Sequence, residues 1–148
     1  MTLTERLSKH AHDLDADGHH PYSALPSGSN ALVLGFLMDG GGSAISTGIK
    51  GSVLVPFDCE VESVTLLANV SGSCVVDIWI DAYGVYPPSV GDSITAASKP
   101  TLSSAMKYQD AVLSGWDTSI SSGDVLVFNV DSLSTITQLT CALGLRKV

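Results

Sequence analysis

All four histidines of this 148-residue chain lie between His10 and His20, in the window HAHDLDADGHH. Imidazole nitrogens suit zinc, nickel or iron, and His10 and His12 stand at H-x-H spacing, with His19 and His20 close behind. Between the two pairs, Asp13, Asp15 and Asp17 followed by Gly18 match the opening of a calcium loop, D-x-D-x-D-G. In such a loop alternate side chains turn inward and the glycine permits the sharp bend. A full EF-hand needs a bidentate Glu at the twelfth position. Ala24 stands there instead, and Pro21 and Pro26 forbid a flanking helix. His10, His12, Asp13, Asp15 and Asp17 are therefore candidate metal ligands in an incomplete motif. The competing reading is a solvated acidic turn, with the histidines hydrogen-bonded at a docking interface. Imidazoles titrating near about pH 6 would then make docking pH-sensitive. Apart from such an ion, no cofactor is expected.

The element holding these residues is a polar leader. Residues 1–9 have Leu3 and Leu7 four apart and capping-box spacing from Thr2 to Glu5, but so short a helix forms only by docking on something. Residues 10–30 are broken by Gly18, Pro21, Pro26 and Gly28, with Tyr22 and Leu25 as their sizeable apolar groups. The division expected is an extended N-terminal docking arm over 1–30, anchored by Leu3, Leu7, Tyr22 and Leu25, and a folded domain over 31–148.

The body contains no histidine. Charged residues are 15% of the chain, hydrophobic ones 45%, and Ser and Thr fill 31 positions, a composition that suits many short strands. Apolar or alternating runs at 31–38, 51–57, 61–70, 73–82, 124–132 and 135–147, with a further strand around 109–113, predict seven or eight strands. Ser71-Gly72 reads as a turn, and the stretch from Pro87 to about Ser104 as irregular. In 73–82 the alternation puts Val76, Ile78 and Ile80 inward and Val75, Asp77, Trp79 and Asp81 outward. The fold class predicted is all-β, an antiparallel β-sandwich, jelly-roll-like.

Function classes narrow from the same totals. A net charge of −8, with no run of Lys or Arg, disfavours phosphate contact and so nucleic acid. No apolar stretch reaches the roughly 20 residues of a membrane span, and the first residues lack the apolar core of a signal peptide. Cys59, Cys74 and Cys141 are odd in number and widely spaced, which predicts buried reduced thiols. A Cys nucleophile would want a histidine that the body does not supply. Carboxylates such as Asp77 and Asp81 could pair for glycoside hydrolysis, yet on an outward face they serve solubility. No enzyme is expected. Aromatics near loops can stack on sugar rings: Tyr83 and Tyr86 ahead of Pro87-Pro88, and Trp116, are candidate glycan- or receptor-binding residues, while Trp79 and Trp116 equally suit a core.

The order of segments in the body carries a resemblance. KGSVLVPFDCEVESVTLLANVSGSCVVDIWID (50–81), YPPSVGDSITAASKPTLSSAMKYQD (86–110) and LSGWDTSISSGDVLVFNVDS (113–132) together resemble a β-sandwich module of tailed-bacteriophage virion proteins of tail-fibre, appendage or decoration type. The His10-Ala11-His12 triplet is also similar to the H-x-H turns that bind iron at trimeric phage fibre tips, although here it stands single and near the N-terminus. The resemblance implies a virion-surface structural protein, a capsid decoration protein or short head or tail fibre. It implies assembly as a homo-oligomer, expected to be a trimer, with capsid or tail proteins as partners. Receptor or host-glycan binding is the alternative role. The resemblance transfers no functional residues.

Overall fold

The computed structural model describes residues 30–148. Seven strands form it: β1 (Ala31–Asp39), β2 (Gly48–Leu54), β3 (Cys59–Ala82), β4 (Thr101–Asp110), β5 (Ser119–Ile120), β6 (Asp124–Ser134) and β7 (Gln138–Lys147). Every pairing is antiparallel. The all-β antiparallel architecture expected from the alternation is the one found; the arm over 1–29 lies outside the described residues.

One strand organises the rest. The first half of β3 pairs with β7, from Cys59 opposite Lys147 to Ala68 opposite Leu139, and β7 pairs onward with β1. The second half pairs with β6, from Ser73 opposite Ser134 to Ala82 opposite Asp124, and β6 pairs onward with β2. Along its other edge β3 pairs with β4 and, at Cys59–Glu60, with β5. The sheet curls at the middle of β3, so β1 and β7 face β2 and β6 as two leaves. Ring stacking fixes that closure: Phe36 of β1 lies parallel to Phe128 of β6, centroids 4.5 Å apart.

The core between the leaves is the set that alternation selects. Leu139, Cys141, Leu143 and Leu145 of β7 are buried, as are Leu126, Phe128 and Val130 of β6 and Val76 and Ile78 of β3. Gly51 makes room for the closure, because a Cβ there would stand 2.6 Å from Cζ of Phe36.

Three sequence expectations are corrected. Ser71-Gly72 is not a turn, and 59–82 is one continuous strand. Gly72 is there for close approach: a Cβ would meet the Ser134 carbonyl, Ile136 Cγ1 and Thr135 Oγ1, each at 2.6 Å. The irregular stretch ends earlier than expected, because β4 begins at Thr101. It continues through a left-handed Ser104 (φ 49°) whose N–H donates to Ser73 Oγ at 2.9 Å. Finally, the outer face of the second leaf is not solvated. Val125, Val127, Asn129 and Asp77 point away from the core and are nevertheless buried, beneath the segment that joins β3 to β4.

Gly51→Ala is expected to destabilise the fold by about 1–3 kcal/mol, the usual cost of forcing a packed ring aside. Gly84→Ala, where a Cβ meets nothing within 4 Å, should stay within about 0.5 kcal/mol of the wild type. Urea unfolding of both checks the pair.

Candidate functional site

Residues 83–100 form a strap over the second leaf. Its trailing part runs beside β3: Ile94 N–H donates to the Ile78 carbonyl (2.9 Å) and Val76 N–H to the Pro100 carbonyl (3.0 Å). A capping box at Ser89 and Asp92 rigidifies the single 3₁₀ turn between them. The Trp116 indole N–H donates to the Ser98 carbonyl at 2.8 Å, tying the strap to the loop after β4.

Under the strap is an ionic cluster centred on Asp77, which is fully buried. Its Oδ1 accepts from Ser93 Oγ at 2.5 Å and from Thr95 Oγ1 at 2.7 Å. Its Oδ2 lies 2.9 Å from Lys99 Nζ, which also donates to Asp131 Oδ2 at 2.7 Å. Asp131 Oδ1 in turn accepts from Asn129 Nδ2 at 2.7 Å. The Trp79 indole N–H is buried without a well-aligned partner, and its field still favours the charged carboxylate. Burial alone would push the Asp77 carboxyl up. The donors Ser93, Trp79, Thr95 and Lys99 together outweigh it and hold the group below its ordinary range. Lys99 is pushed up, first by its bond to Asp131 and then by Asp77.

These directions decide the chemistry. The amine stays protonated and is no nucleophile; the carboxylate stays ionised, with two hydroxyls on Oδ1 and the Lys99 ammonium facing Oδ2, so it is a poor general base. A buried charge removed from water needs such pairing to be tolerated at all. The cluster therefore clamps the strap onto β3, and reading Asp77 as a solubilising surface charge is corrected. Alternation placed Asp77 on the outward face; it could not show that a distant segment would cover that face.

Tyr83 and Tyr86 stand on the leading part of the strap, 73% and 52% exposed, with Val85 and Val90 exposed beside them. The Tyr86 hydroxyl is 3.1 Å from Ser52 Oγ on β2, which steadies its ring. The structure thus brings Tyr83 and Tyr86 together on one displayed loop. Trp116 is separate from them, half-buried against the core with its N–H engaged. A depression of about 380 Å³ on the outer face of the other leaf is lined by Thr65, Leu67, Lys107, Tyr108 and Gln109, and these bring no acid–base pair together.

The three cysteines are free and buried. Burial, and then the neighbouring Cys74, push the Cys141 thiol up to about 12, so it is unreactive in the folded chain. Among the described residues no group of three or more His, Cys, Asp or Glu could hold a metal ion. The candidate ligands His10, His12, Asp13, Asp15 and Asp17 lie outside those residues, as do the anchors Leu3, Leu7, Tyr22 and Leu25. Compared with protein-family models and with curated proteins, the chain matches none.

Removing one partner of an ion pair so that a buried charge loses its counter-ion typically costs about 3–5 kcal/mol, and Lys99→Ala, which leaves the buried Asp77 without its cation, should approach that range by urea unfolding at pH 7. The pH dependence has a definite sign. A carboxyl lowered in the folded state adds stability that is complete above its unfolded pKa, about 3.9. That stability is lost as pH falls through the lowered folded value. Asp77→Asn should therefore flatten the decline in melting temperature below about pH 4. Asp39 and Asp92, also lowered, retain their share.

Proposed function

We propose that the chain is a non-enzymatic structural protein of a tailed-phage virion, a capsid decoration protein or short head or tail fibre, whose N-terminal residues attach it and whose β-sandwich is displayed. The observation that carries this reading is the Asp77 cluster. The buried carboxylate of the second leaf is spent on clamping a display strap, which is the work of a scaffold. The resemblance of the segment order over 50–81, 86–110 and 113–132 to phage β-sandwich modules supports the setting. The segregation of all four histidines into the first 20 residues supports a division between an attaching leader and a presenting body.

A second reading is favoured by Tyr83 and Tyr86. Tyrosines exposed on a fixed loop offer flat, amphipathic contact area at low entropic cost, which suits recognition of a host glycan or receptor. The two roles are compatible and separable. Deleting residues 1–22 should abolish incorporation into particles, read by immunodetection on purified virions, and leave the melting temperature of the body unchanged. Incorporation that survives the deletion would remove the attachment role. Under the second reading, Tyr83→Ala with Tyr86→Ala should abolish cell binding by the full chain without reducing incorporation. Unchanged cell binding would sink it.

A further inference from the structure

Among the described residues β1, β2, β4 and β5 each pair along one edge only. β5 is two residues long, and β4 carries Lys107, Asp110 and two register shifts. The two ends of the main strand path, β1 and β2, are protected very differently. β2 carries Lys50, a register shift between Ile49 and Gly51, and Pro56 just past its end. The Tyr86 hydroxyl rests on its Ser52. Charges, irregularities and prolines of this kind are how sheet edges avoid pairing with other chains. β1 has none of them before its last residue, Asp39. It runs in unbroken register with β7 from Ala31 to Asp39, and the stretch ALVLGFLM before Asp39 is uncharged and free of proline.

The hydrogen bonds at its two ends show which residues face the open edge. Asn30 C=O accepts from Lys147 N–H, and Gly40 N–H donates to the Thr137 carbonyl, at 3.0 and 2.8 Å. Both are even-numbered positions, so by antiparallel alternation the even residues address β7. Val33, Gly35 and Leu37 then turn their N–H and C=O groups outward. Val33 and Leu37 also carry exposed side chains, 76% and 61% accessible. Gly35 is the centre of the stretch. Glycine inside a strand weakens it and commonly marks the close approach of another backbone. A Cβ at Gly35 would meet nothing within 4 Å among the described residues, so none of their contacts accounts for it.

We propose that β1 pairs antiparallel with β1 of a second copy about a two-fold axis at Gly35, making the chain a dimer. Gly35 meets Gly35, and Val33 of each copy meets Leu37 of the other. The three pairs supply about six backbone hydrogen bonds. Such an interface is isologous and closes on itself. A second copy suits the edge better than a differently charged partner. The chain carries −8, so two copies approach with least repulsion where charge is absent, whereas a cationic partner would be drawn to the acidic surface elsewhere. The size is adequate. Nine residues span about 30 Å and the two leaves with their side chains about 20 Å, on the order of 600 Å² per copy, at the lower limit of stable interfaces. The inference goes beyond the virion reading and does not depend on it. It sets a two-fold in place of the threefold assembly expected from the sequence.

The test is sedimentation equilibrium of the full chain across micromolar concentrations. The wild type should weigh twice the 15.3 kDa of one chain. Val33→Lys with Leu37→Lys should weigh one chain with an unchanged circular dichroism spectrum. Val112→Lys, which alters an exposed apolar residue outside β1, should remain dimeric. Amide exchange of the wild type gives a second readout that needs no variant. Protection at Val33, Gly35 and Leu37 should rise with protein concentration, while that at Leu34 and Phe36 stays constant. A monomer at every concentration, a trimer, a dimer indifferent to the lysines, or concentration-independent exchange at the odd positions would each overturn the proposal.

Discussion

The fold depends on the backbone of β3 being paired along both edges through a bend. A strand of 24 residues exposes its N–H and C=O groups on two sides, and buried groups of this kind cannot be left unmet. Each neighbour solves part of that requirement: β7 and β6 take one edge in succession, β4 and β5 the other. Past the reach of β4, the strap takes over beside Val76 and Ile78. The two leaves are thus halves of one hydrogen-bonded surface, and the ring stack of Phe36 on Phe128 locks the curl that β3 permits.

The strap exchanges one kind of satisfaction for another. By running beside β3 it completes backbone pairing, and by lying over Asp77 it removes a carboxylate from water. The second act is costly unless the charge is met, and Ser93, Thr95 and Lys99 meet it from the strap itself. Strap and strand are therefore mutually required. Without the strap's hydroxyls and amine, Asp77 would be an unpaired buried charge. Without Asp77, the Lys99 amine would keep Asp131 alone and the two hydroxyls would lose their acceptor.

Much of this architecture was legible in the residues. Period-two alternation identified the inward faces of β6 and β7 and the apolar length of β1, because those faces are set by the pleat alone. The misreadings share a cause. Gly72 resembles a turn residue locally, but its lack of a side chain serves Ser134–Ile136, more than 60 positions away. The start of β4 was hidden because Leu102 stands alone among Thr101, Ser103 and Ser104, and the strand conformation there comes from pairing with the middle of β3. Asp77 was assigned to solvent because alternation names a face and says nothing of what lies over it. Trp116 could be read as a loop platform or a packed residue; the Ser98 carbonyl that engages its indole is a tertiary partner no spacing predicts. The exposure of Tyr83 and Tyr86, by contrast, was readable from the adjoining prolines and glycine, which keep that stretch out of the sheet.

The strap is pinned where it leaves β3, through Tyr83 N–H to the Gly123 carbonyl, and again from Ser93 onward. The residues between these anchors form a closed loop whose ends are held by the scaffold, with the Tyr86–Ser52 contact and the Ser89–Asp92 capping box as supports along it. The entropy of closing such a loop grows only slowly with length. The tip can therefore diversify in composition, or lengthen by several residues, at small cost to the domain that carries it. Variation and foldability are uncoupled there: the same sandwich can present many different tips.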